Sequence, residues 1–193
     1  MKKCIDPNDA YRIRTALAGR NIVFVGMMGS GKSAIGKRLA ANLELPFADA
    51  DSAIEVAAGM SISDIFESFG ERHFREGERK VIARLLGEGP MVLSSGGGAF
   101  MDADTRALIA ERGTSIWLKA DIETLLERVR RKDNRPLLKN GDPETIMLDL
   151  LKAREPTYAL ADIIVESRNQ SHETVVEAVA MKLIEHFEGA RVA

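Results

Sequence analysis

Gly26-Met27-Met28-Gly29-Ser30-Gly31-Lys32-Ser33 fits the pattern G-x-x-x-x-G-K-[ST], and the apolar run Ile22-Val23-Phe24-Val25 stands directly before it. The order is therefore strand, loop, helix. Glycines let the backbone curl until successive N–H groups face an anion, and the following helix adds the positive end of its dipole at the same place. Lys32 reaches nucleotide phosphates from there, and the Ser33 hydroxyl is placed to hold a magnesium ion. Two other readings start from the same residues. Gly29-x-Gly31-x-x-Ala34 also fits the looser dinucleotide fingerprint, with Asp49 at the distance of a ribose-binding acid. The stretch could also be a structural glycine turn. A dinucleotide site has no use for Gly26 or for a Lys-Ser pair at the helix entrance, so the phosphate loop accounts for more of the fixed positions.

Working outward, Ile35, Leu39 and Leu43 recur at helical spacing from about 32 to 42, until Pro46 imposes extension. Phe47-Ala48 reads as a brief strand ending in Asp49-Ala50-Asp51. Residues 52 to 88 read as helices, with a break at Gly70, and Met91-Val92-Leu93 is a short buried strand running into Ser94-Ser95-Gly96-Gly97-Gly98. Asp102 caps the next helix, Gly113 stops it, and Thr114 to Leu118 is the next strand. Asp121 opens a helix that gives way to the charged run Arg130 to Pro136. Pro143 to Leu160 reads helical, Ile163 to Val165 is the last strand, and Ser171 caps a closing helix with Val176, Val179, Leu183 and Phe187 on one side. Upstream, Asp6-Pro7 looks like a cap and first helical residue, with Ala10, Ile13 and Leu17 on one face and Gly19 as the stop. A disordered tail is the alternative there. Short apolar strands alternating with helices predict an α/β fold of three layers, α/β/α, around a central parallel sheet.

The 193 residues suit one domain, expected over 21–188, with an N-terminal extension at 1–20 and a tail at 189–193. A net charge of -2 argues against sequence-independent binding to nucleic acid, which needs a basic face. The apolar runs are too short to cross a bilayer. Cys4 is the sole cysteine, which excludes an internal disulfide. Asp6 and Asp9 count against a presequence, so a cytoplasmic location is expected. His73, His172 and His186 show no metal-ligand spacing.

Ligands of a parallel sheet sit beyond the carboxyl ends of its strands. In extended backbone, residues two apart point the same way, so Asp49 and Asp51 would both face a site beside the phosphate loop. One could hold a metal through its water shell and the other orient or deprotonate an acceptor hydroxyl. Helix capping is the ordinary alternative for either. Arg75, in Phe74-Arg75-Glu76-Gly77-Glu78, is a solvated helix charge or an anion ligand. Three successive glycines at 96–98 lose much conformational freedom on folding, which suggests a ligand against the backbone, although glycine runs also make plain turns. Arg135 lies in a polar run suited to a lid that brings a guanidinium onto phosphates. Arg154 is either a second anion ligand or the partner of Glu155 or Glu166.

Taken together, GMMGSGKS, FADADSAIE, FREGE, LSSGGG, RPLL and REPTY resemble the shikimate kinase family over about residues 20–188. The resemblance implies a P-loop kinase fold with a helical substrate-binding insertion at about 51–80 and a mobile lid at about 130–141. It implies transfer of the ATP γ-phosphate to the 3-hydroxyl of shikimate, with ATP and Mg2+ as cofactors. By position, Gly29, Ser30, Gly31, Lys32, Ser33 and Ala34 would hold the phosphates, with Arg128 and Gln170 lining the nucleotide pocket. Ser33 would be the direct magnesium ligand, supported by Asp49 and Ser94. Asp51 would bind the shikimate hydroxyls and act as base or orienter. Arg75 and Arg154 would clamp its carboxylate beside Gly96, Gly97 and Gly98, and Arg135 would be the lid arginine. A monomer without nucleic-acid or membrane partners is expected. Ala34 stands where many relatives carry a hydroxyl, a change that leaves the backbone N–H in place. Another small phosphotransferase, such as a gluconate kinase, is the alternative enzyme. A nucleotide switch is the alternative of another class, but Leu118-Lys119-Ala120-Asp121 lacks the Asn of a guanine-reading N-K-x-D, which disfavours GTP.

Overall fold

A computed structural model describes residues 3–130, 142–167 and 170–189. The strand before the phosphate loop is β1 (Asn21–Val25), and every residue of it is buried. Its alternate side chains enter two cores: Val23 and Val25 join one, Ile22 and Phe24 the other. A strand covered on both faces must be apolar throughout, which is why it reads as an unbroken run. Its neighbours are β3 (Val92–Ser94) and β4 (Gly113–Lys119), with β2 (Phe47–Asp49) beyond β3 and β5 (Ile163–Glu166) beyond β4. All four pairings are parallel, in the order β2-β3-β1-β4-β5. The register sets Asp49 beside Ser94 and Ser94 beside Phe24, so the carboxyl ends of β2, β3 and β1 are level where the loops leave the sheet.

One face of the sheet carries α1 (Pro7–Leu17), α2 (Lys32–Leu43) and α8 (His172–Gly189). The other carries α3 (Ala50–Ala58), α4 (Ile62–Gly87), α5 (Ala103–Arg112), α6 (Ile122–Arg130) and α7 (Pro143–Tyr158). The three-layer arrangement expected from the alternation is therefore present. Asp6 accepts a hydrogen bond from Asn8 N at 2.8 Å, Pro7 takes the first position of α1, and Ala10, Ile13 and Leu17 are buried in the second core. The N-terminal segment is a packed helix and not a tail. Within α4 the backbone leaves helical geometry at Gly70 (φ 80°, ψ 172°), the break that its glycine predicts.

Asn21, not singled out by its sequence context, ties the amino end of β1 to three elements. Its Nδ2 donates to Leu86 O at 3.1 Å and Arg112 O at 2.9 Å, and its Oδ1 accepts from Met91 N at 3.2 Å. Buried backbone groups at the ends of α4 and α5 are thereby paired, which a purely apolar residue could not do. No described helix is long and apolar enough to cross a membrane.

Candidate active site

Gly26 leaves β1 with φ 132°, and a Cβ there would lie 2.8 Å from Leu118 O, so the first loop position requires glycine on both counts. Gly31 enters α2 in the left-handed region at φ 99°. Lys32 is buried and turns its Nζ back onto Gly26 O at 2.8 Å and Met27 O at 2.9 Å. The lysine thus braces the loop that it serves, a partnership invisible in the motif alone. Met28, Gly29, Gly31 to Ala34, Asp51, Ser94 and Gly97 line a cavity of about 170 Å³ at this point.

Behind Ser33, the level strand ends bring three oxygens together. Ser33 Oγ donates to Asp49 Oδ2 at 2.6 Å and lies 3.2 Å from Ser94 Oγ. Oxygen-only donors suit a hard divalent cation. Asp49 also caps α3, accepting from Ser52 N at 3.3 Å through Oδ1. The capping reading of that carboxylate is therefore met, with one oxygen on the helix and the other on Ser33. Asp51 departs from the sequence argument: it lies in the first turn of α3, not in extended backbone. It still faces the site, because a helix entered straight from β2 turns its first residues across the strand ends.

A larger cavity of about 540 Å³ shares Met28, Ser33, Asp51 and Gly97 with the first and extends between α4 and α7. Arg75 enters it from α4, Arg154 from α7, and residues 96–98 form its floor. Two of the glycines there are crowded by side chains of the protein itself. A Cβ at position 98 would be 2.5 Å from Arg75 Nη2, and one at position 96 would be 2.5 Å from Glu78 Oε1 and 2.8 Å from Asp51 Oδ1. Arg154 Nη1 donates to Gly97 O at 3.3 Å. Two guanidinium groups, the carboxylates of Asp49, Asp51, Glu55 and Glu78 and a glycine backbone thus surround one space that opens onto the phosphate loop.

Comparison with known proteins accords with this geometry. The shikimate kinase family model matches residues 28–186. The chain is 55% identical to the shikimate kinase of Bradyrhizobium diazoefficiens over 181 residues, covering 94% of this chain and 87% of that one. It is 57% identical to the shikimate kinase of Nitrobacter winogradskyi over 162 residues, covering 84% of this chain and 76% of the relative. The chain belongs to the shikimate kinase family. Among solved structures, the shikimate kinase of Acinetobacter baumannii in complex with shikimate superposes with a TM-score of 0.82 at 35% identity, covering 94% of this chain and 99% of that one. Membership of this family sets aside the gluconate kinase and nucleotide-switch alternatives.

The shikimate kinase fold also gathers residues that the motif reading left unassigned. Glu78 follows Arg75 by three positions, hence on the same helical face, and its Oε2 accepts from Arg75 Nη1 at 2.6 Å. Its side chain is 3% exposed, and Oε1 has no hydrogen-bond partner among the described residues. Burial pushes the Glu78 carboxyl up, with Asp51 adding to the rise and Arg75 and Arg154 opposing it. Burial works to lower Arg75, but Glu78 and Glu71 outweigh it and hold the guanidinium above its ordinary value. The i, i+3 spacing inside FREGE was the available signal for this pair.

The raised carboxyl has a definite consequence for stability. Above the ordinary value of 4.5 the unfolded chain has released the Glu78 proton while the folded chain still holds it, so stability falls as pH rises through that interval. Glu78→Gln, which cannot ionise, lacks this contribution. Thermal unfolding of both proteins from pH 4.5 upward should show the wild type losing ground to the variant as pH rises. A Tm difference independent of pH would contradict the assignment.

Of the remaining expected residues, Arg128 reaches the phosphate loop from α6, its Nη1 donating to Ser30 O at 3.3 Å and Gly29 O at 3.4 Å. Gln170 is exposed ahead of α8 and lines neither cavity. Arg135 and the rest of the lid expected at about 130–141, apart from Arg130 at the end of α6, lie outside the described residues.

Proposed function

We propose that the chain transfers the γ-phosphate of ATP to the 3-hydroxyl of shikimate, giving shikimate 3-phosphate and ADP. The observation that carries this reading is the continuity of the phosphate-loop cavity with a second one in which Arg75 and Arg154 converge from distant helices. Lys32 already serves the nucleotide, so two further arginines call for an anionic acceptor. A planar guanidinium donates two parallel hydrogen bonds to a carboxylate. Asp51 stands where the two cavities meet, the position from which a carboxylate can orient an acceptor hydroxyl and accept its proton.

In this mechanism residues 29–34 cradle the phosphates and Lys32 stabilises charge on the β- and γ-oxygens. Ser33 is the direct ligand for Mg2+, with Asp49 and Ser94 behind it, in keeping with their all-oxygen chemistry. The ion, when bound, neutralises charge shared by the β- and γ-phosphates. Arg75, kept oriented by Glu78, and Arg154 hold the acceptor carboxylate over Gly97 and Gly98, which leaves its hydroxyls towards Asp51. Arg135 is the lid arginine of this reading.

The test is ADP release in the presence of hydroxylated small acids. Shikimate should support turnover, and gluconate and the methyl ester of shikimate should not. Turnover of gluconate without turnover of shikimate would refute the proposal.

A further inference from the structure

Tyr158 is wholly buried at the carboxyl end of α7, one turn beyond Arg154. Its hydroxyl donates to Gly97 O, the same carbonyl that accepts from Arg154 Nη1 at 3.3 Å. It also lies 3.8 Å from Met27 Sδ in the phosphate loop. Its ring stacks on Trp117 at a centroid distance of 5.8 Å and an interplanar angle of 27°. Trp117 in turn is the neighbour of the first loop glycine, since a Cβ at Gly26 would be 3.1 Å from Trp117 Cδ1. A Cβ at Gly97 would be only 3.3 Å from Met28 N, so the glycine loop rests directly on the phosphate loop. Two aromatic rings therefore stand beside the place where Gly97 meets the phosphate loop.

We propose that Tyr158 is a positioning residue that holds the Gly97 carbonyl when Arg154 turns to the acceptor, and so fixes the carboxylate subsite against the phosphate loop. This deepens the function proposed above and rests on it. The Gly97 carbonyl draws on two donors from one face of α7. Arg154 holds the carbonyl through a single contact at 3.3 Å, and an acceptor that draws the guanidinium away would leave a half-buried carbonyl short of a donor, which is unfavourable. The tyrosine hydroxyl removes that penalty. It also fixes the Gly97–Gly98 peptide plane, since a carbonyl and the N–H of the same trans peptide point in opposite directions. Arg75 packs against Gly98, the residue whose N–H belongs to that peptide. Burial pushes the Tyr158 phenol up to about 12, so it remains a protonated donor throughout the working range.

The experiment is Tyr158→Phe, which keeps the ring and its stacking and removes only the hydroxyl. With the carbonyl dependent on Arg154 alone, KM for shikimate should rise by about five- to a hundred-fold, the range of one lost hydrogen bond. KM for ATP should stay near the wild-type value. In an Arg154→Ala background Tyr158 is the remaining one of these two donors, so the same substitution should raise acceptor KM again, by at least as much as in the wild type. A purely structural role would instead raise both KM values together. Wild-type turnover of shikimate is measured first; its absence refutes the proposed function, whereas normal turnover with equal acceptor KM in wild type and Tyr158→Phe overturns only the role of Tyr158. Should the variant fail to fold, the wild type supplies the answer through Trp117, the sole tryptophan of the chain. Because Trp117 also neighbours Gly26 of the phosphate loop, the protein is first saturated with ADP; its emission should then change on adding shikimate, and an emission unaffected by shikimate would overturn the proposal.

Discussion

Asp51→Asn should lower kcat by about 10²–10⁴-fold, the range of general-base assistance, with ATP affinity nearly unchanged. The substitution keeps the shape of the side chain and removes its charge. Asp51 is exposed in the first turn of α3, and the capping of that helix falls to Asp49, so the change should leave the fold intact. Asp49→Asn is the contrasting variant. Asp49 lines the acceptor cavity, but its carboxylate is engaged by Ser33 Oγ at 2.6 Å and Ser52 N at 3.3 Å, so its loss should shift the magnesium dependence of the rate. Rates and nucleotide affinities of the two variants, measured across magnesium concentrations, separate these roles. Identical effects of both substitutions on both parameters would refute the division.

Arg75→Ala and Arg154→Ala should each weaken shikimate binding by at least about thirty-fold, since removing one partner of a desolvated charge pair costs roughly 2–5 kcal/mol. The two variants should differ in stability. Arg75 is the hydrogen-bonded partner of Glu78, whose side chain is 3% exposed, so Arg75→Ala strands a buried carboxylate and should unfold earlier than wild type. Adding Glu78→Gln should recover much of that stability without recovering shikimate affinity. Arg154 has the Gly97 carbonyl in view, so its loss should spare the fold. Calorimetric binding of shikimate and thermal unfolding across the four proteins test both parts. Retained affinity in either single variant would rule out the carboxylate clamp.

Much of the architecture is legible because its signals are local. A glycine-rich loop after a buried strand, Asp6 and Asp102 as caps, and Gly70 as a helix break each act within a few residues, and each is found where expected. The site is legible as a set of positions and less so as a geometry. Asp51 faces the cavity, but from a helix, because Asp49 captures Ser52 N and starts α3 one residue after the strand. Lys32 reads as a phosphate ligand, while its hold on Gly26 O and Met27 O arises only once the loop has closed. Glu78 and Tyr158 escape a motif-by-motif reading because their partners are set by helical faces and by contacts with Gly96 and Gly97, far away in the chain.

The strand order β2-β3-β1-β4-β5 puts the phosphate loop at the middle of the sheet, with β2 and β3 on one flank and β4 and β5 on the other. Asp49, Asp51 and the glycine floor issue from the first flank, whereas Arg128 and Trp117 belong to the second. The site does not divide along the sheet, however: Arg154 and Tyr158 reach the glycine floor from α7 on the second flank, and Asp49 on the first flank holds Ser33 of the phosphate loop. A lineage that exchanged α3, α4 and the loop after β3 would have to rebuild contacts from both flanks. A further constraint on such an exchange is the narrow seam at which Gly97 lies against Met28, where a Cβ would come within 3.3 Å of the Met28 backbone nitrogen.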